Sequence, residues 1–346
     1  MSGPLLAIRD LRVDFATEKG TVRALFGVSL SIDPGETVGL VGESGCGKSV
    51  TALSILRLLP SPPAIVRGGE ILLRGENLLD LPEKRMCEVR GKAVSMIFQE
   101  PMTSLNPVLT VGEQVAEVFT AHRECGRREA AARAVSWLGK VRMPDPERRA
   151  REYPHQMSGG MRQRAMIATA LALEPSLLIA DEPTTALDVT IQAQIMALLQ
   201  EMRERERMAV LLITHDLGVV HDFADRTAIM YLGRIVEIAP TKGLFSDPIH
   251  PYTQGLLASL PGKGTGTARL SSIPGAVPDL SSVPPGCPFA DRCPYRQAAL
   301  DRFRGGADSR DSLGICDRED PPLFEYAPGH FAACHYQRAM RGGGAS

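Results

Sequence analysis

The sequence feature that most constrains the fold is the segment 42–49, GESGCGKS, which matches the pattern G-x-x-x-x-G-K-[ST]. The apolar strand pattern TVGLV precedes it, and the helical pattern SVTALSILRLL follows it. A glycine-rich turn in this setting lets backbone N–H groups surround a phosphate chain at the N-terminus of the helix. The segment therefore predicts a nucleotide site rather than only a turn that caps a helix.

Individual residues of this segment, which we call the phosphate loop, have separate expected roles. Lys48 would neutralise the β- and γ-phosphate oxygens, and the hydroxyl of Ser49 would be a ligand of Mg²⁺. Further contacts with the nucleotide are expected from Gly42, Ser44, Gly45, Cys46, Gly47 and Val50. Because such a loop works through backbone N–H groups, Cys46 is expected to serve as a small residue and not as a nucleophile.

Composition and charge exclude several classes of protein. The 346 residues carry 39 basic and 40 acidic side chains, a net charge of −1, which disfavours a protein that binds a nucleic-acid backbone. The longest apolar runs, such as Ala209–Ile213, have strand length and fall far short of the roughly 18 residues of a spanning helix. Arg and Asp interrupt the N-terminal MSGPLLAIRDLRVDF, so we expect no signal peptide and a reducing compartment in which the seven cysteines do not form disulfides.

The organisation of the chain follows from periodicity and composition. Strand patterns such as LLIADEP and AVLLITHD alternate with helical patterns up to about residue 260, which predicts an α/β core with buried strands. Residues 111–174 contain successive helical patterns without a strand pattern, so an inserted helical subdomain is expected at about 108–174. Gly and Pro make up 37 of the first 260 residues but 22 of the last 86. This difference predicts a core domain over 1–260, followed by a linker and a small cysteine-bearing extension over 261–346.

Two carboxylates end one of the apolar strand patterns, in the segment Leu177–Glu182. They would face the phosphate loop at the carboxyl edge of a parallel sheet. Asp181 suits Mg²⁺. Glu182 would lie beside the γ-phosphate, where it can polarise an attacking water molecule as a general base.

Three further motifs complete a recognisable order. Gln99 ends the strand pattern AVSMIF, the stretch Ser158-Gly159-Gly160 stands before a helical pattern, and His215 follows the strand pattern AVLLI. This order resembles that of the nucleotide-binding subunits of ABC transporters and extends from residue 1 to about 260. The resemblance implies a P-loop ABC-type fold and Mg²⁺-dependent ATP hydrolysis at two composite sites in a head-to-tail pair.

The same resemblance assigns roles to these residues. Gln99, also a ligand of Mg²⁺, and His215 would act with Glu182 in catalysis. The contacts to the γ-phosphate held by the other subunit would come from Ser158, Gly159 and Gly160.

Four longer segments are similar to the ATPases of the dipeptide, oligopeptide and nickel importers. They are QEPMTSLNP from Gln99, YPHQMSGGMRQR from Tyr153, ALDVTIQAQI from Ala186 and HPYTQGLL from His250. The sequence GGMRQR resembles that of the first of the two different ATPases that pair in this group.

The resemblance to these importers implies a second ABC ATPase, two membrane permeases, an extracytoplasmic substrate-binding protein, and a peripheral position on the cytoplasmic side of the cell membrane. The helical subdomain and residues 101–111 would touch the permeases. Peptides are the expected cargo, with nickel or another small solute as the alternative.

Departures from the wider ABC pattern affect details of the site. Val50 stands where many relatives have a second hydroxyl residue, which removes a side-chain bond to the α-phosphate but not the backbone N–H. Met161 replaces a more common Gln, so Ser158 and the glycine N–H groups remain as contacts. Phe15 is expected to stack on the adenine, the alternatives being nearby Phe26 and a plain core position for Phe15.

Four of the seven cysteines, Cys287, Cys293, Cys316 and Cys334, fall in the last 60 residues, separated by 5, 22 and 17 residues. In a reducing compartment four thiolates supply a complete ligand set for zinc or for an iron–sulfur cluster. The absence of a Cys-x-x-Cys pair favours the cluster. The extension also resembles that of the peptide-importer family, in some members of which four cysteines hold a [4Fe-4S] cluster. A structural role is expected for the metal, because a segment with few core side chains needs a further cross-link to fold. The alternative is that the four thiols are unrelated.

Two other classes of function are weighed against transport. ABC-type ATPases that act on nucleic acid usually fuse two cassettes or add long basic segments, whereas this chain has one phosphate loop and a near-neutral charge. A redox sensor would make the cysteine extension the main function. A variant that lacks the cluster and retains full transport would favour that interpretation.

Overall fold

The computed structural model describes residues 3–18, 20–100, 104–185, 187–260, 273–280, 283–296 and 310–341. Residues 101–103 of the segment expected to touch a permease lie outside this set, as does most of the predicted linker. In the described part of the chain, no helix is long and apolar enough to cross a membrane.

The strands of the described residues form two sheets. Their bounds are β1 Leu6–Thr17, β2 Gly20–Ile32, β3 Thr37–Val41, β4 Ala64–Leu73, β5 Glu76–Asn77, β6 Val94–Ile97, β7 Leu177–Asp181, β8 Ala209–Ile213, β9 Arg226–Tyr231, β10 Arg234–Pro240, β11 Phe324–Ala327 and β12 His330–Ala332. The larger sheet has the order β11-β12-β10-β9-β3-β8-β7-β6, and the smaller has the order β2-β1-β4-β5.

The larger sheet is parallel from β9 to β6 and antiparallel from β9 to β11. Every residue of β3, β7 and β8 is buried. Short runs of Val, Ile and Leu buried on both faces are typical of a parallel sheet covered by other layers. The expected α/β class is therefore confirmed.

The smaller sheet is antiparallel and packs on the larger one. Its inward side chains, such as Leu11, Val13 and Leu25, share one hydrophobic cluster with Leu40 and Ile213 of the larger sheet. This layer brings β2 next to the phosphate loop.

Helices cover the larger sheet and form the insertion. Their bounds are α1 Lys48–Ile55, α2 Glu83–Val89, α3 Val111–Ala121, α4 Arg127–Lys140, α5 Pro146–Arg149, α6 Gly159–Leu171, α7 Val189–Glu206, α8 Leu217–Phe223, α9 Thr241–Ser246, α10 Pro251–Ala258, α11 Arg310–Arg318 and α12 His335–Arg341. The described residues between β6 and β7 include α3 to α6 and no strand, as the helical patterns predict. Thr110 and Glu113 begin α3 with a reciprocal capping box, which fixes where this helix starts.

The C-terminal extension is built onto the larger sheet. Its strand β12 pairs with β10, and β11 continues the sheet beyond β12. Cys287, Phe289 and Cys316 share a hydrophobic cluster with Tyr231 of β9 and Tyr252 of α10. The extension therefore shares its core with the elements that support the phosphate loop.

Candidate nucleotide site and cysteine cavity

The phosphate loop joins the end of β3 to the start of α1, and two glycines make its path possible. Gly47 has a φ of 108°, in the left-handed region, and a Cβ there would lie 2.8 Å from the side chain of Leu25. A Cβ at Gly42 would lie 2.2 Å from the carbonyl oxygen of Met230. The loop thus lies close against β2 and β9, with its N–H groups at the N-terminus of α1.

The ammonium group of Lys48 lies within the loop. Its Nζ donates to the carbonyl oxygens of Gly42 at 2.8 Å and Glu43 at 3.0 Å. Both of these partners are neutral carbonyl groups, so the buried ammonium keeps a positive charge that favours an anionic phosphate. The neighbouring Cys46 is buried in the core, and burial raises its pKa, so the thiol stays neutral and unreactive.

Asp181 and Ser49 meet between the end of β7 and the start of α1. Asp181 is 4% exposed and accepts a hydrogen bond from the side chain of Ser49. Its other oxygen, Oδ1, is buried without a hydrogen-bond partner among the described residues. Burial raises the pKa of Asp181, because the charged form has lost its hydration. A buried acceptor oxygen beside a serine hydroxyl fits Mg²⁺, which takes oxygen ligands.

Three side chains from separate parts of the chain contact the carboxylate of Glu182. Gln99 donates to Oε2 at 3.0 Å, Thr185 donates to the same oxygen at 2.8 Å, and Nδ1 of His215 lies 3.2 Å from Oε1. The backbone N–H of Glu182 donates to the carbonyl of Ile213 on β8 at 2.8 Å. Its φ of 47° is unusual for a residue with a side chain and is held by these contacts.

These contacts set the charge of Glu182. Burial raises its pKa, but the hydrogen bonds from Thr185 and His215 outweigh burial and hold the pKa below its ordinary value of 4.5. Glu182 is therefore a carboxylate at neutral pH, in the form that can accept a proton. Gln99, Glu182 and His215, which the family resemblance implies act together, lie together in the structure.

The stretch from Ser158 to Gly160 begins α6. Ser158 accepts a hydrogen bond from the N–H of Met161 at 3.4 Å and so caps the helix. A Cβ at Gly160 would lie 3.0 Å from the side chain of Ile191 on α7. Within the part of the chain that the structure describes, no hydrogen bond or ion pair joins this stretch to the phosphate loop. Its expected contact with a nucleotide of another subunit stays a prediction.

The two aromatic candidates for adenine stacking have different surroundings. Phe15, on β1, is half-buried and packs against the hydrophobic cluster between the sheets. The guanidinium of Arg234 lies over the ring of Phe26, 4.0 Å from its centroid. Stacking of Phe15 on adenine, and the backbone contact expected of Val50, stay predictions.

The four cysteines of the extension surround one small cavity. The cavity is lined by Cys287, Cys293, Cys316 and Cys334, with His250, Arg296, His335 and Tyr336 among the other lining residues. Burial raises the pKa of the Cys287 and Cys334 thiols to about 12, and it raises those of Cys293 and Cys316 as well. All seven cysteines are free thiols in the structure.

The arrangement of these side chains is not that of a single-ion site. Among the described residues, no group of three or more His, Cys, Asp or Glu side chains is placed to hold a metal ion. A tetrahedral zinc site needs four ligands about 2.3 Å from one ion, and the side chains as they stand do not form one. The geometry thus brings the predicted cysteines together and does not assign them a metal.

Three contacts of the site were missed by the sequence analysis. Thr185 lies three residues after Glu182, and a hydroxyl residue so close to the proposed base could have indicated this contact. Tyr252 lies far from the phosphate loop in the sequence, yet its hydroxyl accepts a hydrogen bond from the N–H of Glu43 at 3.0 Å. Arg292 also reaches Glu43, although its sequence context had indicated only a cysteine-rich loop.

Comparison with known proteins agrees with this site. Residues 25–185 match the ABC transporter family, and residues 236–299 match the oligopeptide/dipeptide transporter C-terminal region. The chain is 52% identical over 306 residues to the dipeptide transport ATP-binding protein DppD of Bacillus subtilis, covering 88% of this chain and 91% of that protein. It is 48% identical over 328 residues to the oligopeptide transport ATP-binding protein OppD of the same organism, covering 94% and 87% respectively.

A solved structure extends the comparison to the fold. The dimeric ATP-binding cassette MJ0796, in a post-hydrolysis state bound to ADP and Pi, is similar with a TM-score of 0.62 and 28% identity. The match covers 68% of this chain and 98% of that one. The fold and the nucleotide site define an ABC-type ATPase.

Within that class, the chain belongs to the family of ATP-binding subunits of peptide ABC transporters. The family resemblance and the cassette fold predicted from the motifs are thereby confirmed. The domain boundary near residue 261 and the individual roles of the site residues stay predictions.

Proposed function

We propose that this chain hydrolyses ATP, with Glu182 as the general base, to drive the uptake of peptides by an ABC importer. The observation that carries the proposal is the position of the Glu182 carboxyl group, which contacts Gln99, Thr185 and His215 beside the Asp181–Ser49 pair. The curated relatives are named for dipeptide and oligopeptide transport, which supports peptides over the alternative of nickel or another small solute.

The chemistry follows from the positions of the chain's own groups. Lys48 and the backbone N–H groups of the phosphate loop bind the phosphate chain, and Ser49 and Asp181 would hold Mg²⁺, which neutralises charge on the phosphate oxygens. Glu182 takes a proton from a water molecule while the oxygen of that water molecule attacks the γ-phosphorus. The bond between the γ-phosphorus and the bridging oxygen then breaks, and ADP leaves. Gln99 and His215 orient the carboxylate and the water molecule.

The proposed assembly places a second ABC ATPase opposite this chain. In a composite site this stretch would serve the nucleotide of the partner, since among the described residues Ser158–Gly160 forms no hydrogen bond or ion pair with the phosphate loop of its own chain. The dimeric state of the similar solved cassette supports the same arrangement. Two membrane permeases, contacted from the cytoplasmic side, and an extracytoplasmic substrate-binding protein would complete the importer.

Transport by reconstituted vesicles tests the cargo. The assembled complex, in vesicles with ATP on the side of the ATPases, is offered a labelled dipeptide, a labelled pentapeptide or ⁶³Ni²⁺ together with the binding protein. We expect ATP-dependent uptake of at least one of the peptides. Uptake of nickel and of neither peptide would overturn the peptide assignment while leaving the ATPase assignment in place.

We further propose that Cys287, Cys293, Cys316 and Cys334 hold a [4Fe-4S] cluster. Their position around one cavity supports the proposal, and so does the chemistry of the donor set, since cysteine thiolates are the usual ligands of such clusters. The thiols need not all approach one ion in this case, because each would bind a different iron. Their raised pKa values mean that the unliganded thiols are neutral and that binding must release protons.

Anaerobic purification tests this second proposal. We expect brown protein with broad absorbance near about 400 nm and about four irons per chain. Colourless protein that contains one zinc ion per chain would assign zinc to the four cysteines instead of the cluster. Protein that is free of metal and keeps its extension folded would show that the four cysteines are not a metal site.

A further inference from the structure

An ion pair links the C-terminal extension to the phosphate loop. Arg292, which lies between Cys287 and Cys293, donates from Nη1 to Oε2 of Glu43 at 2.9 Å and from Nη2 to Oε1 at 3.2 Å. Glu43 is the second residue of the phosphate loop. Two parallel hydrogen bonds of this kind fix the orientation as well as the distance of the two groups.

The surroundings of Arg292 make this contact rigid. The residue is 7% exposed, and its Nε donates to the carbonyl of Pro274 at 3.1 Å. Its guanidinium lies beside the rings of Tyr231 and Phe289, 5.8 Å and 5.9 Å from their centroids. A planar cation held among aromatic rings has little freedom to follow a moving partner, so Glu43 is held in one place.

Glu43 is held at three points. Its side chain is fixed by Arg292, its N–H donates to the hydroxyl of Tyr252, and its carbonyl accepts from Nζ of Lys48. Lys48 is the residue expected to neutralise the phosphate. A change at Arg292 therefore reaches the phosphate-binding ammonium through one intervening residue.

We propose that Arg292 is a positioning residue for ATP: through Glu43 it holds the phosphate loop in its binding conformation, so that ATP affinity depends on the segment between Cys287 and Cys293. The role follows from preorganisation, since a loop ordered before binding does not have to be ordered by the nucleotide. It goes beyond the proposed function, because it does not require a metal at the cysteines or a particular cargo.

A second ion pair of the same form supplies a matched control. Arg341, on α12 of the extension, donates to the two carboxylate oxygens of Asp247 at 2.7 Å and 2.9 Å. Asp247 follows α9 and lies outside the phosphate loop. Both pairs join the extension to the rest of the chain, but only the Arg292 pair reaches the phosphate loop.

The experiment measures the affinity of the full-length chain for a fluorescent ATP analogue. Arg292→Met is expected to raise Kd about tenfold, because the loop must then be ordered by the nucleotide, whereas Arg341→Met stays within about twofold. Glu43→Gln is expected to raise Kd as well, and the double variant should bind about as well as the weaker single variant, since both changes remove one interaction. In the assembled transporter, Arg292→Met should raise KM for ATP and leave kcat within about twofold.

Two results would overturn the inference. One is a Kd for Arg292→Met within about twofold of wild type in protein with an unchanged melting temperature. The other is an equal loss of affinity in Arg341→Met, which would show a general loosening of the extension. If Arg292→Met does not fold, Glu43→Gln decides the question, and a wild-type Kd in that variant contradicts the proposal. Affinity is measured without hydrolysis, so these outcomes are independent of the role of Glu182.

Discussion

The ionisation of Glu182 depends on its neighbours rather than on its exposure. Burial alone would raise the pKa of this carboxyl, and the donors Thr185 and His215 reverse that effect. Thr185 lies three residues along the chain and donates to Oε2, the oxygen that also accepts from Gln99. Thr185 is thus one of the donors that hold the pKa of the proposed base below its ordinary value.

Thr185→Val removes this donor and keeps the volume of the side chain. The remaining burial then raises the pKa of Glu182, so that the carboxylate is protonated at a higher pH than in the wild type. Because a general base acts in its ionised form, kcat falls as pH falls through that pKa. We expect the acidic limb of the pH profile of kcat to move to higher pH in this variant.

The control for this prediction is Thr120→Val, at a threonine whose hydroxyl donates to the carbonyl of Glu117 within α3. Its pH profile should match that of the wild type. An acidic limb that does not move in Thr185→Val would show that Thr185 does not set the pKa of the base.

Among the elements, the joint between β10 and the extension depends on one buried carboxylate. Glu237 of β10 is 0% exposed and accepts from the N–H groups of Ile249 at 2.8 Å and His250 at 2.9 Å. Nε2 of His330, on β12, lies 2.7 Å from the same side chain. One residue thus satisfies the start of α10 and the strand that the extension adds to the sheet.

Glu237→Ala should destabilise this joint, because it leaves three buried polar groups without their acceptor. We expect the free energy of unfolding to fall by about 3 kcal/mol, measured by urea denaturation. Glu325→Ala on the neighbouring β11 removes an exposed carboxylate and should cost less than about 1 kcal/mol. Equal effects of the two substitutions would show that Glu237 does not join the extension to the sheet.

The sequence predicted the elements that have a strong local pattern and missed those that depend on distant partners. The buried strands β3, β7 and β8 are short apolar runs, and the helices of the insertion have clear periodicity. By contrast, β11 and β12 have four and three residues, too few for a pattern, and their place in the sheet depends on pairing with β10. The extension was therefore expected as a separate tail, not as part of the central sheet.

The same distinction applies to the site. The resemblance to ABC transporter subunits implied that Gln99, Glu182 and His215 act together, and the structure brings the three side chains into contact. The contact of Arg292 with Glu43 joins residues 249 positions apart, and no local pattern specifies such a pair. The pKa of Glu182 was also beyond prediction, since it depends on the balance of burial and hydrogen bonds in the folded chain.

For the whole molecule, the proposed composite site has a consequence for assembly. A chain that lacks its partner would present an incomplete site. We expect the isolated chain to sediment as a monomer and to hydrolyse ATP slowly, with activity restored by the partner ATPase and two permeases. A stable and fully active homodimer of this chain alone would contradict a site completed by a different subunit.

The most direct test is hydrolysis by the transporter with Glu182→Gln, combined with a partner ATPase whose own site is inactivated, so that all turnover comes from this chain. We expect ATP binding within about twofold of wild type and hydrolysis lower by the roughly 10² to 10⁴ of a lost general base. Glu201→Gln, which changes a surface carboxylate paired with Arg142, should hydrolyse ATP at the wild-type rate. Hydrolysis by Glu182→Gln within a factor of about two of wild type would contradict the assignment of Glu182 as the base.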